Sequence, residues 1–141
     1  MIINAENRVL GRLASEIARK AKDGEEVHVV NSEKAVISGD KTEVKEEYKT
    51  KYERGGRHTG PQYPKRPDKI LKRTVRGMLP TNKEAGREAF SNVKTYLEVP
   101  IEFEGEVEEV DVKEGDELKN RNYVKLGDVS KYIGWTPRGG N

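Results

Sequence analysis

Between two short apolar runs, MIINA at residues 1–5 and the β-branched VHVVN at residues 27–31, the chain places Leu10, Leu13, Ala14, Ile17, Ala18 and Ala21 at helical spacing. That three-, four- and seven-residue recurrence defines one apolar helix face, and Asp23-Gly24 supplies its stop. Asn7 is the expected cap and Gly11 the expected point of close helix–sheet approach. Strand, helix and strand in this order imply a parallel crossover of right-handed sense. KAVISG, residues 34–39, reads as a further strand after a short turn.

The remainder is compatible with a single small α/β domain. At 141 residues the chain fits one domain, and its 33% apolar content allows only a modest core. Val44, Tyr48 and Tyr52 recur at four-residue spacing, so a helix follows the third apolar run with these residues on its inner face. A second helix opens at Pro67, and Pro80 ends it. TNKEAGREAF, residues 81–90, restarts a helix with Thr81 and Glu84 at capping-box spacing and Ala85, Ala89 and Phe90 inside. TYLEVP, Thr95 to Pro100, is the expected last strand of the sheet, EVEEVDV an edge strand or an acidic flap, and LGDVSKYIGW a short helix docked through Ile133 and Trp135.

Charge is 37% of the composition and is sharply segregated. Lys49 to Arg87 holds twelve Lys/Arg against three acids, whereas Glu98 to Glu117 holds ten acids against Lys113 alone. A polyanion on the basic part is the natural partner, nucleic acid first, with a merely solvated basic face as the competing reading. At about 100° per residue, Lys69, Lys72, Arg73 and Arg76 share one stripe of the Pro67–Leu79 helix, and Leu71, Val75 and Met78 share the opposite one. Like charges at this spacing destabilise an isolated helix, so an external anion is expected to neutralise them. The stretch Arg54 to Arg66, with its Gly, Pro and basic residues, offers little apolar area to offset ordering. It is expected to be mobile alone and ordered on RNA. The acidic segment at 98–117 is expected to face away from that RNA, toward solvent or a basic protein.

Catalytic and metal chemistry finds little purchase. The chain has no Cys, two His and no carboxylate–His grouping at metal spacing. VLGRLAS matches neither dinucleotide nor P-loop fingerprints, no serine stands in a nucleophile elbow, and the acidic segment lacks a calcium-loop pattern. His28, inside an apolar run, reads as a hydrogen-bonded strand histidine, and Tyr48 and Tyr52 as core. His58 and Tyr63 have the option of stacking on bases. An RNA-processing enzyme using His58 and a nearby carboxylate is the second reading, weakened by the lack of a second catalytic group beside it. No secretory leader and no apolar stretch near eighteen residues occurs, so a soluble cytoplasmic protein without cofactor, membrane partner or small-molecule substrate is expected.

LGRLASEIA, VVNSEKAVISG, GRHTGPQYPKRPDKILKRTVRGMLP and KLGDVSKYIGW together resemble the large-subunit ribosomal protein L13 family in its archaeal and eukaryotic branch. VRGMLP between the basic helix and the next one is the most specific element. The resemblance implies a three-layer α/β/α domain around a small, mainly parallel sheet. It also implies binding to large-subunit rRNA during assembly, neighbouring large-subunit proteins as further partners, and no enzymatic role. Arg54, Arg57, His58, Lys65, Arg66, Lys69, Lys72, Arg73, Arg76, Lys83 and Arg87 are the residues expected to contact RNA. The acidic 98–117 segment is the part least matched by the family.

Overall fold

The computed structural model of the protein describes residues 1–54, 63–105, 107 and 122–137, with Arg54 described by its backbone only. The first helix, α1 (Leu10–Lys22), buries Leu10, Leu13, Ala14, Ile17, Ala18 and Ala21, the six residues that its periodicity selects. It connects β1 (Ile2–Asn4) to β2 (Val27–Val30), which pair in parallel with Ile3 opposite Val29. Gly24 terminates the connection at φ 90°, a left-handed conformation that costs glycine little. Asn7 does not cap α1. Val9 occupies the cap position without a side-chain bond, and Asn7 instead adopts φ 60° while its N–H donates to Lys34 O at 2.9 Å.

Gly11 is likewise not a close approach: it is exposed, and an added Cβ would meet nothing within 4 Å. Gly11→Ala therefore removes backbone entropy from the unfolded chain without a clash. It should stabilise the protein by about 0.5 kcal/mol, read as a small upward shift of the denaturant midpoint.

The chain after β2 departs from a simple doubly wound plan. Only residues 31–35 separate β2 from β3 (Val36–Ser38), too few for the dozen or so that a parallel crossover needs. Asn31 turns the backbone at φ 59° into a 3₁₀ turn at Ser32–Lys34, and β3 leaves the parallel sheet. It pairs antiparallel with β5 (Tyr123–Lys125), while a parallel bridge between Val9 and Val36 keeps it joined to the start of α1. Two ladders result, β1-β2-β4 and β3-β5.

Asp40 starts α2 (Lys41–Arg54), its Oδ2 accepting the Glu43 N–H at 3.2 Å. Val44 and Tyr48 are buried and Tyr52 half-buried, as their spacing requires. Helix α2 packs on α5 (Leu126–Tyr132) and β5, whereas α1 packs on α3 (Pro67–Arg76) and α4 (Glu84–Ser91). The result is a single α/β domain with a small, mostly parallel sheet.

Pro67 stands in the first turn of α3, with Ile70, Leu71 and Val75 buried. Met78 is 40% exposed rather than inside, because the helix ends at Arg76 and Gly77; Leu79 turns inward instead. The Thr81–Glu84 capping box does not form. Lys83 is the cap residue of α4 and makes no side-chain bond. The buried face of α4 is Gly86 and Ala89, with Ala85 exposed and Phe90 half-buried.

The last parallel strand is β4 (Val93–Thr95), earlier than the expected 95–100. Its partner β2 is four residues long and turns away at Asn31, so pairing cannot continue. Backbone bonds from Tyr96 N to Val29 O and from Asn31 N to Glu98 O, at 2.8 and 2.9 Å, tie the following residues irregularly. Ile101–Phe103 forms a 3₁₀ turn. Most of the acidic stretch, including the expected EVEEVDV strand or flap apart from Val107, and residues 55–62 of the basic stretch lie outside the described residues. Ile133 is buried beyond α5 and Trp135 half-buried, as the C-terminal motif suggests.

Candidate nucleic-acid interface

Helix α3 is held to the body from below and left cationic above. Ile70, Leu71 and Val75 are fully buried, and Thr95 Oγ1 donates to Asp68 O at 2.9 Å, locking the helix onto β4. Burial of each large aliphatic side chain contributes about 1.5–3 kcal/mol relative to exposure. The opposite side carries Lys69, Arg73 and Arg76, all exposed, and Lys72, half-buried. Among the described residues none of these four makes an ion pair.

Local packing orients the stripe. Lys72 Nζ lies 5.1 Å from the centre of the Phe90 ring, and the Arg73 guanidinium 5.5 Å from that of Tyr63. Burial, followed by the nearby charges of Lys94 and Lys69, holds the Lys72 ammonium below the usual lysine range, with Asp68 opposing. Repulsion of this kind is relieved when a polyanion arrives. Beyond the helix end, Arg73, Arg76, Gly77, Leu79 and Thr81 line a shallow cleft of about 290 Å³. Arg87 reaches back to it, Nη1 donating to Thr81 O at 3.3 Å, and Lys83 is exposed at the start of α4.

The other sequence candidates are placed differently. Lys65 is exposed, with Nζ 5.2 Å from the Tyr52 ring centre. Arg66 is engaged within the chain: its Nη2 pairs with Asp68 Oδ2 at 3.2 Å. Tyr63 packs edge-on against Tyr48 with centroids 6.1 Å apart, and burial pushes its hydroxyl up, so it acts as a support for Arg73 more than as a free stacking surface. Arg57, His58 and the side chain of Arg54 lie outside the described residues. Lys94, missed by sequence reasoning, joins Lys69 and Lys72 electrostatically from the edge strand β4. Its signal was its place just past the helix, opposite in parity to buried Val93.

His28 is a satisfied strand residue. Its Nδ1 and Nε2 each lie 2.9 Å from a partner, Tyr96 Oη and Glu26 Oε1, and its ring lies against Tyr96 and Phe103. Among the described residues no group of three or more His, Asp and Glu could hold a metal ion, and no helix is long and apolar enough to cross a membrane.

Comparison with known proteins converges on one assignment. Residues 1–102 match the family model for ribosomal protein L13. The chain is 45% identical to the large ribosomal subunit protein uL13 of Archaeoglobus fulgidus, covering 95% of this chain and 87% of that protein. It is 47% identical to the uL13 of Haloquadratum walsbyi, with 96% and 92% covered, and 46% identical to that of Methanopyrus kandleri, with 99% and 89% covered. The chain is thus of the large-subunit ribosomal class, with a structural role in place of an enzymatic one, and it resides with the ribosome in the cytoplasm. It belongs to the ribosomal protein L13 family, in its archaeal form. The RNA-processing reading built on His58 is overturned by this membership.

Proposed function

We propose that the protein binds large-subunit rRNA through the outer face of α3 and helps to organise that RNA during assembly. The observation that carries this reading is the row of Lys69, Lys72, Arg73 and Arg76, with no ion pair among the described residues, on a helix anchored by the buried Ile70, Leu71 and Val75 of its opposite face. Phosphate contacts of this type release counterions and fix the orientation of the protein on a folded RNA. Lys65, Lys83 and Arg87 extend the same surface, and Arg54, Arg57 and His58 join it from the Gly/Pro-rich stretch, whose glycines permit close backbone approach to phosphate. Arg66, paired with Asp68, contributes at the edge. The acidic 98–117 segment faces away from RNA, toward solvent or a basic neighbouring protein.

Lysine acylation read by mass spectrometry tests this reading directly. Bound to large-subunit rRNA, the protein should show Lys69, Lys72 and Lys83 protected from the reagent, with the exposed Lys22 on α1 as an unprotected reference. Equal modification of Lys69 and Lys83 with and without RNA would refute it.

A further inference from the structure

At the N-terminal end of α3, away from the basic stripe, lies a cavity of about 600 Å³. Its walls include Glu33, Asp68, Glu98, Tyr96 and Trp135, with Arg66 at its edge. Three acidic residues and one arginine thus share the lining, and the arginine's guanidinium is already paired with Asp68 Oδ2. Asp68 is only 5% exposed, and its second oxygen, Oδ1, is buried without any hydrogen-bond partner. A buried carboxylate oxygen of this kind is costly unless a donor reaches it. Glu33 is committed on one side, its Oε1 accepting the Glu98 N–H at 3.1 Å, and Glu98 is held in place at φ 53°. Glu98 is also the first of ten acids in the stretch that ends at Glu117.

We infer that this cavity receives an arginine side chain from a basic segment of a neighbouring protein. The acceptor set matches a guanidinium, which offers several N–H groups in one plane to carboxylates and stacks on aromatic rings. Trp135 supplies the aromatic wall, the Tyr96 hydroxyl being occupied by His28. Phosphate is disfavoured here because Glu33, Asp68 and Glu98 would all repel it. Helix α3 then serves two partners, protein at its first turn and RNA along its outer stripe. The inference stands independently of the RNA-binding reading.

Trp135 is the single tryptophan of the chain, so it reports on the cavity without labelling. The full chain is titrated with a capped glycyl-arginyl-glycine amide and with its lysyl and citrullyl counterparts. The arginyl peptide should change Trp135 fluorescence saturably, the lysyl peptide should bind more weakly, and the uncharged citrullyl peptide should have no effect. Asp68→Asn should weaken the arginyl peptide about tenfold or more, the loss expected for one hydrogen bond to a charged group. Glu98→Gln, on an exposed side chain, should weaken it several-fold and serves alone should Asp68→Asn fail to fold by circular dichroism. Equal binding of the citrullyl or lysyl peptide, or an arginyl titration unaffected by both variants, would overturn the assignment. So would a response to a short RNA oligonucleotide only, or one that appears only after deletion of residues 138–141, which would make the chain's own tail the occupant.

Discussion

Gly86→Ala should cost the protein about 3 kcal/mol, lowering its melting temperature by about 6–12 °C, although alanine is the better helix former. The buried face of α4 meets the turn after α3 at this residue. A Cβ on Gly86 would stand 1.9 Å from Pro80 O and 2.3 Å from Pro80 C, both backbone atoms that cannot rotate aside. Helix propensity alone favours alanine by about 1 kcal/mol, so the two effects have opposite sign and a thermal melt decides between them. A melting temperature that holds or rises would mean that α4 does not rest on Pro80. The turn also carries Thr81, whose carbonyl accepts from Arg87 and which lines the cleft beside Arg73 and Arg76. Displacing it should therefore weaken RNA binding as well, even in the fraction that remains folded. Gly11→Ala is the internal contrast: the same substitution, also in a helix, with open space in place of a carbonyl.

These two glycines mark where the sequence was legible and where it was not. The six inward residues of α1 follow from their spacing alone, since an isolated amphipathic stripe needs no knowledge of what it packs against. Similar reasoning places Val44 and Tyr48 inside α2 and the basic row on the outside of α3. It assigns Gly11 a close contact and overlooks Gly86, because a close approach depends on which distant backbone arrives. The same limit explains β3. Its β-branched residues announce a strand, but its partner β5 lies more than eighty residues away. Met78 was lost to a helix end set by Gly77, and the Asn7 cap and the Thr81–Glu84 capping box to backbone turns that bond elsewhere. For the site, periodicity identified the stripe but not the burial of Lys72, the Arg66–Asp68 pair or the contribution of Lys94. Least legible was the carboxylate-lined cavity, assembled from residues near 33, 66–68, 95–100 and 135–137. Nothing local in any of those segments signals it.

Replacing Lys72, Arg73 and Arg76 together with glutamine should reduce the log–log salt dependence of binding to large-subunit RNA by about 2–3. If each cation neutralises one phosphate, each contributes about 0.7–0.9 to that slope. Glutamine keeps part of the aliphatic stem and the helix propensity, and Arg73 and Arg76 are exposed, so stability should change by about 1 kcal/mol or less. The half-buried Lys72 accounts for most of that change, because its stem packs beside Phe90. Val75→Ala is the reciprocal control on the same helix. Val75 is fully buried, so trimming it should cost about 1–3 kcal/mol of folding while leaving the salt slope of the folded protein unchanged. The two faces of α3 are thus separable by experiment, one through salt and one through denaturant. A triple variant that folds normally and keeps the full salt slope would place the phosphates elsewhere on the molecule. The proposed interface would then fail while the fold, and the cavity at the other end of the helix, stood untouched.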